Sequence, residues 1–203
     1  MVRAQVNPKS ALWLACFGCF LATSGALAQP RLMKIEKSTA SYSSRDALYN
    51  WTGTTSGVSG TLSFDDQTGE ILKAEVEVDL ATLDSGNGLR DGRMRNEFLQ
   101  TDKFPKATLT IDKLEGYPKF SEWKKWGTKQ TGKIYGQLTI RNITRPVIWD
   151  AEAIYLGKEL KVNAKGQIKM TDFGITPPSL AFVTVEDNVG LQATILARRV
   201  ESP

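Results

Sequence analysis

The sequence predicts an all-β fold, an antiparallel barrel of about eight strands with one short helix that closes an end. Apolar residues from Leu32 onward recur with a period of two rather than 3.6, as in strands that are buried on one face. Turn sequences separate these runs at the spacing typical of sandwiches and barrels. We favour a barrel because closure leaves no exposed sheet edge.

Each strand is predicted from its own alternating run. In residues 75–80, the carboxylates Glu75, Glu77 and Asp79 alternate with aliphatic residues, which indicates one solvated and one buried face. This pattern places the three acids in solvent and disfavours acid–base catalysis by them. The remaining alternating runs are 108–111, 134–140, 160–165 and 191–197. Turns are expected at 65–69, at Arg145–Pro146 and at 156–158.

The helix is predicted in residues 88–99, the segment that breaks the period of two. Met94 and Phe98 are four residues apart and would share one helix face, and Ser85 or Asn87 is available as the N-cap. Gly92 within the helix costs about 1 kcal/mol relative to alanine. We expect this helix to close one end of the barrel.

Residues 1–28 are interpreted as a cleaved signal peptide, followed by a single domain, residues 29–203. Arg3 and Lys9 precede an apolar run at 11–22, and residues 26–28 form the small-x-small pattern of a cleavage site, so the mature chain would start at Gln29. A retained anchor is the alternative, but the run is shorter than the ~20 residues of a spanning helix. The sequence therefore predicts export.

The composition excludes several kinds of chemistry. The chain has no histidine, and both cysteines, Cys16 and Cys19, lie in the predicted leader. Ser-His-Asp catalysis, a thiolate nucleophile and Cys/His metal sites are therefore ruled out for the mature domain, and we predict no catalytic residue and no metal site. The formal net charge is only +4, which predicts no nucleic-acid partner.

A lysine-rich stretch, residues 113–133, is interpreted as a second irregular segment and a candidate membrane contact. Lysines attract anionic headgroups and tryptophans favour the membrane interface. The candidate docking residues are Trp123, Lys124, Lys125 and Trp126. The alternative is an ordinary lysine-rich loop whose aromatic side chains pack on the barrel rim.

Five motifs in order resemble the YceI-like family of bacterial periplasmic proteins. They are G-T-L-S-F-D at 60–65, R-D-G-R-M-R at 90–95, F-P at 104–105, G-Q-L-T-I-R-N-I-T-R-P-V at 136–147 and D-F-G-I at 172–175. The resemblance implies a lipocalin-like eight-stranded barrel that encloses a long polyisoprenoid, such as a quinone-type lipid, and it implies no established catalytic residues. The chain departs from the pattern at Asn142, where glycine is usual, although asparagine tolerates positive φ better than most residues.

The resemblance leads us to expect a non-enzymatic periplasmic protein that binds a long isoprenoid-type lipid for transport or storage. The bound lipid would be the only cofactor-like group, membrane contact would be transient, and a homodimer is one assembly that the sequence allows. The period-two apolar residues that would line the interior, either as ligand contacts or as plain core, are Val76, Val78, Leu80, Leu109, Ile111, Leu138, Ile140, Trp149, Leu160 and Val162.

Polar side chains on the predicted helix are candidates for contact with a lipid headgroup. These residues are Arg90, Asp91 and Arg93. The alternative is that Arg90 and Asp91 hold the helix to the barrel by ion pairing. Two other functions stay open at this point: a filled barrel with a structural or stress-protective role, and a hydrolase or isomerase that uses carboxylates alone.

Overall fold

The computed structural model describes residues 30–65, 70–118, 122–123, 127–180 and 182–200. Several features predicted from the sequence lie outside these residues: the leader 1–28 with both cysteines, the mature start at Gln29, most of the turn at 65–69, and Lys124, Lys125 and Trp126.

The described residues form an antiparallel barrel. Nine strands make one sheet in the order β11-β8-β7-β6-β5-β4-β3-β1-β2, and β1 also pairs with β11, which closes it. Since β2 and β3 pair with the two halves of β1, they occupy one position, and the barrel is eight-stranded, as predicted. The strands are β1 (Pro30–Arg45), β2 (Asn50–Thr55), β3 (Val58–Asp65), β4 (Ile71–Asp79), β5 (Lys106–Glu115), β6 (Lys129–Ile140), β7 (Ile143–Tyr155), β8 (Glu159–Lys169), β9 (Ser179–Leu180), β10 (Val183–Thr184) and β11 (Asn188–Arg199), with β9 and β10 in a separate two-stranded sheet.

The alternation seen in the sequence sets which side chains face inward. Ile134, Gly136, Leu138 and Ile140 on β6 are buried, whereas the alternate residues 135, 137 and 139 are more exposed. On β4 the acids face outward: Glu77 forms an ion pair with Lys106 at 2.7 Å. These carboxylates are solvated surface groups, in agreement with the pattern.

Strand β1 carries a bulge where it pairs with β11. The register shifts between Glu36 and Thr39, and Lys37 has a positive φ of 41°. Ser38 is 1% exposed, and its hydroxyl donates to the Glu36 carbonyl and accepts from the Leu196 amide, both at 2.9 Å. The hydroxyl thus binds backbone groups at the point where the ladder is interrupted.

The predicted helix is confirmed, in two parts. Helix α1 (Gly88–Arg93) continues into a π-helical turn (Met94–Leu99). Asn87 is the N-cap, and its side chain accepts from the Arg90 amide. The helix ends at Gln100, which has the left-handed conformation. No helix among the described residues has the length and apolar character to span a membrane.

Two local predictions are wrong. The turn that leads into β7 lies at Arg141–Asn142, not at Arg145–Pro146, and both turn residues have positive φ, 51° and 63°. Such a two-residue turn suits the twist of a hairpin, and Asn142 adopts the conformation usual for glycine. Pro146 lies inside β7 opposite Gln137, in a part of the strand that pairs with β6 but not with β8. The missing amide hydrogen is tolerated at such an edge.

The second correction concerns residues 113–133, which are not one irregular segment. Lys113 belongs to β5, and Lys129 and Lys133 belong to β6. Each of the three lysines pairs with a carboxylate on the outer face of the barrel, namely Glu115, Glu152 and Asp150 at 3.0, 2.9 and 2.7 Å. The strands therefore extend further than the charge-rich sequence suggested.

Candidate functional site

A large cavity opens at one end of the barrel. Its volume is about 1110 Å³, slightly above the ~300–1,000 Å³ typical of small-molecule sites. Its walls come from the ends of β1, β6 and β8, the starts of β2 and β11, the β1–β2 connection, the segment between β4 and α1, and helix α1 with its π-helical turn. Pro178, Ser179, Val183 and Val185 also line it. The helix thus forms one wall of the cavity at the end of the barrel that it was predicted to close.

The deep part of the cavity is apolar. The buried residues that line it, each at most 8% exposed, are Leu80, Leu83, Ile140, Phe173 and Ile175. Phe173 and Ile175 belong to the D-F-G-I motif, which forms a short 3₁₀ turn (Thr171–Phe173) after β8 and ends at Gly174 with φ of 66°. The motif therefore places two apolar side chains in the cavity wall.

The mouth of the cavity is also apolar. We call four side chains there the mouth rim: Leu48 and Tyr49 between β1 and β2, Leu89 on α1, and Phe182 between β9 and β10. They are 67%, 71%, 86% and 103% exposed. The first three line the cavity directly, and Phe182 lies beside Val183, which also lines it. Exposed apolar side chains beside a cavity are typical of interaction surfaces when they form a contiguous patch.

Ser85 connects the helix to the barrel. The Asp91 carboxylate, 3% exposed, accepts hydrogen bonds from the Ser85 amide and hydroxyl. Arg90 donates from Nε to the Ser85 hydroxyl at 2.9 Å and from Nη2 to its carbonyl at 3.0 Å, and its guanidinium lies 5.1 Å from the centre of the Trp51 ring. Burial raises the pKa of Asp91, but the Ser85 hydrogen bonds and the Arg90 charge lower it more, so the net shift is downward.

These contacts distinguish the three predicted headgroup residues. Arg90 and Arg93 line the cavity, and Arg93 forms an exposed ion pair with Glu97 at 3.1 Å. Asp91 is not part of the lining and is engaged by Ser85. Asp91 therefore anchors the helix, through Ser85 rather than through a direct ion pair with Arg90.

Tyr42 and Trp51 also line the cavity, and sequence reasoning did not select them. Tyr42 pairs with Gly53 across β1 and β2, and a Cβ on Gly53 would lie 2.2 Å from the Tyr42 ring. Burial, followed by the Asp91 charge, raises the pKa of Tyr42, and hydrogen bonds and Arg90 only partly offset this. The phenol is therefore neutral at physiological pH.

The ten predicted lining residues occupy three zones. Leu80 and Ile140 line the large cavity. Ile111, Leu160 and Val162 line a small cavity of about 90 Å³ at the opposite end of the barrel. The remaining five line neither cavity: Leu138 and Trp149 are buried in the central core, Leu109 and Val76 pack against core clusters, and Val78 is partly buried.

Trp123, one of the predicted docking residues, is buried in the structure. It is 7% exposed, its ring stacks on Tyr117 with 5.6 Å between ring centres, and its Nε1 donates to the Pro118 carbonyl at 2.9 Å. The Tyr117 hydroxyl donates to the Ala151 carbonyl at 2.7 Å. Both rings line the small cavity, so Trp123 packs onto this end of the barrel.

Comparison with known proteins places this architecture in a family. A profile of the YceI-like domain matches residues 33–197. Protein YceI of Salmonella arizonae is 32% identical over 136 residues, 63% of this chain and 65% of the relative. A UPF0312 protein of Photorhabdus laumondii is 32% identical over 133 residues, 62% and 64% of the two chains. Each match thus spans less than two thirds of the relative.

Two solved structures share the fold. A polyisoprenoid binding domain from Saccharophagus degradans, implicated in plant cell wall breakdown, has a TM-score of 0.65 at 15% identity and covers 85% of this chain and 99% of its own. BcnA of Burkholderia cenocepacia has a TM-score of 0.63 at 19% identity, with 79% and 96% covered. The profile match over most of the chain, together with this barrel, shows that the protein belongs to the YceI-like family.

Proposed function

We propose that this protein binds a long isoprenoid-type lipid, quinone- or polyprenyl-like, inside the barrel and carries or stores it in the periplasm. The observation that carries the proposal is the apolar cavity of about 1110 Å³ with one open end. Membership of the YceI-like family and the shared fold of a polyisoprenoid binding domain support it. The periplasmic setting rests on the leader-like sequence of residues 1–28.

A non-enzymatic role fits the lining of the cavity. Among the described residues, Asp46 is the only carboxylate that lines it, and its Oδ1 accepts from the Leu48 and Tyr49 amides at 2.7 and 2.8 Å. A hydrolase or isomerase that relies on carboxylates alone would need a pair of them. A filled structural barrel is also disfavoured, because it would have no cavity of this size.

Energetics indicate that the lipid exchanges with a membrane. At ~0.8 kcal/mol per buried CH₂, a tail of about 35 carbons would gain about 28 kcal/mol on leaving water. This exceeds the roughly 18–21 kcal/mol at which non-covalent affinities saturate. The donor and acceptor of such a lipid are therefore bilayers, and the protein must contact them.

The mouth rim is the membrane contact proposed from the structure, and Lys124, Lys125 and Trp126 stay a prediction because they lie outside the described residues. Three of its four exposed apolar side chains line the cavity, and the fourth, Phe182, is next in sequence to Val183, which also lines it. The neighbouring arginines have partners: Arg45 pairs with Glu186 at 2.8 Å and Arg93 with Glu97. Because these charges cancel in pairs, we expect the rim to bind zwitterionic bilayers and to gain little from anionic lipid.

The bound lipid can be identified directly. The protein is purified from the periplasm of its own host, its intact mass is measured, and an organic extract is analysed by mass spectrometry. We expect a mature chain that starts at Gln29 and an extracted isoprenoid lipid. An extract without lipid would favour the filled-barrel role, and a chain that keeps residues 1–28 would contradict cleavage.

Membrane contact is tested by flotation with phosphatidylcholine vesicles. The Leu89→Asp variant should lose most vesicle binding, because the side chain is 86% exposed at the mouth. Leu72→Asp is the matched control, since Leu72 is 53% exposed at the other end of the barrel, and it should bind normally. Equal vesicle binding by both variants contradicts the proposal. If the mouth rim instead binds a second copy of the chain, size-exclusion chromatography would show a dimer.

A further inference from the structure

Trp149 lies between the two cavities. Along β8, Val162 lines the small cavity and Ile168 lines the large one, and Trp149 pairs with Gly166 between them. On β6, its partner Ile134 lines the small cavity, whereas Ile140 lines the large one. None of the described residues lines both cavities, so the core around Trp149 separates them.

On the side of the small cavity, the residues next to Trp149 on the interior face of β7 are small. Ala151 pairs with Ala164 and Ala153 with Val162, on the side of the small cavity. Gly166 leaves room for the indole, since a Cβ there would lie 3.0 Å from two ring atoms. Between the indole and the small cavity, the inner faces of β7 and β8 therefore carry the small side chains Ala151, Ala153 and Ala164.

The indole is fully enclosed. Trp149 is 7% exposed, and its buried Nε1–H has no hydrogen-bond partner among the described residues. A buried donor without a partner is uncommon in native structures and calls for an explanation. The side chain thus fills the middle of the barrel without a compensating polar contact.

We infer that Trp149 sets the depth of the lipid cavity and thereby the longest isoprenoid tail that the protein encloses. This inference rests on the proposed lipid-binding function. If a carbon atom takes about the ~30 Å³ that water takes in the liquid, the large cavity holds roughly 35 carbons, or about seven isoprene units. Longer tails would meet the indole and leave carbons in water.

The test measures how ubiquinones with tails of two to ten isoprene units partition between phosphatidylcholine vesicles and protein. Each methylene left in water lowers partition into the protein by about fourfold. For wild-type protein, the partition coefficient plotted against tail length should therefore show a break near seven isoprene units. Beyond this break the coefficient should fall at least tenfold per added unit. Trp149→Ala should move the break at least one unit longer, because it joins the small cavity to the large one.

Two control variants isolate the role of the indole. Trp149→Phe keeps a ring and removes the N–H, so the break should stay in place. Ile111→Ala enlarges the small cavity but leaves Trp149 intact, and it should not move the break either. Thermal melts of each variant verify folding.

The outcomes separate the two proposals. If wild-type protein takes up no ubiquinone of any length, the lipid-binding function fails and the inference fails with it. If wild-type protein binds but shows no break, or if the break is unchanged in folded Trp149→Ala, the lipid function stands and the role of Trp149 is overturned. Should Trp149→Ala fail to fold, Trp149→Leu is measured in its place, and an unchanged break in that folded variant overturns the role of Trp149.

Discussion

Replacement of Asp91 by alanine should loosen the helix that forms one wall of the cavity. The carboxylate is 3% exposed and accepts two hydrogen bonds from Ser85. Hydrogen bonds to a charged group contribute about 1.5 kcal/mol each at the low end, so the loss is about 3 kcal/mol of unfolding free energy. For a chain of this size that corresponds to a melting temperature lower by roughly 6–12 °C.

The assay is thermal denaturation followed by circular dichroism, with Glu97→Ala as the control. Glu97 is on the same helical segment, but its side chain is 53% exposed in an ion pair with Arg93, so its removal should cost no more than about 0.5 kcal/mol. Asp91→Asn should give an intermediate loss, because the amide oxygen replaces only one of the two acceptors. Equal melting temperatures for Asp91→Ala and Glu97→Ala would refute the anchoring role.

The pH dependence of this effect has a definite sign. The folded-state pKa of Asp91 is lowered, because the Ser85 hydrogen bonds and the Arg90 charge outweigh the effect of burial. The stability contributed by the ionised group is therefore complete above the unfolded pKa of about 3.9 and is lost as the pH falls through the lower folded value. The difference between wild type and Asp91→Ala should shrink below about pH 4.

Three further predictions concern other parts of the barrel. Gly166→Ala places a methyl group 3.0 Å from the Trp149 ring, so it should lower the unfolding free energy measured by urea titration by about 1–3 kcal/mol and change the tryptophan fluorescence. Unchanged fluorescence and stability would contradict this packing. Asn142 has a φ of 63°, so Asn142→Ala should be about 1 kcal/mol less stable than Asn142→Gly, and the reverse order in the same titration would argue against the turn. Burial and then the charge of Asp150 raise the pKa of Tyr117 from 10.0 to about 12. The unfolding free energy should therefore fall as the pH rises from 10 to 12, and Tyr117→Phe should remove this part of its pH dependence.

The fold was predictable from the sequence because strand alternation is a local property. It identified inward-facing positions such as Leu138 and Ile140 correctly. These two side chains lie on the same face of β6. Both belong to the buried core cluster, but only Ile140 also lines the large cavity, since the two differ in depth along the barrel axis. Alternation reports the face of a strand and carries no information on depth, so the cavity lining was only partly identified.

Other residues of the site depend on contacts between distant parts of the chain. Tyr42 fits the cavity wall because Gly53 lies opposite, and that pairing requires the register of β1 and β2. Sequence reasoning names Phe173 only as part of the D-F-G-I motif and does not predict that it lines the cavity. Pro146 suggested a turn because proline commonly interrupts strands, yet it is accommodated where β7 pairs with one neighbour.

The seam between β1 and β11 determines when the cavity can exist during folding. Most strand pairs of the barrel join neighbours in sequence, whereas the seam joins the two ends of the described chain, with Met33 opposite Arg199. Tyr42 pairs with Leu191 across it, and both line the large cavity. Contacts between distant residues form slowly. We therefore expect the hairpins to assemble first and the lipid site to be completed last, so that folding intermediates hold no lipid.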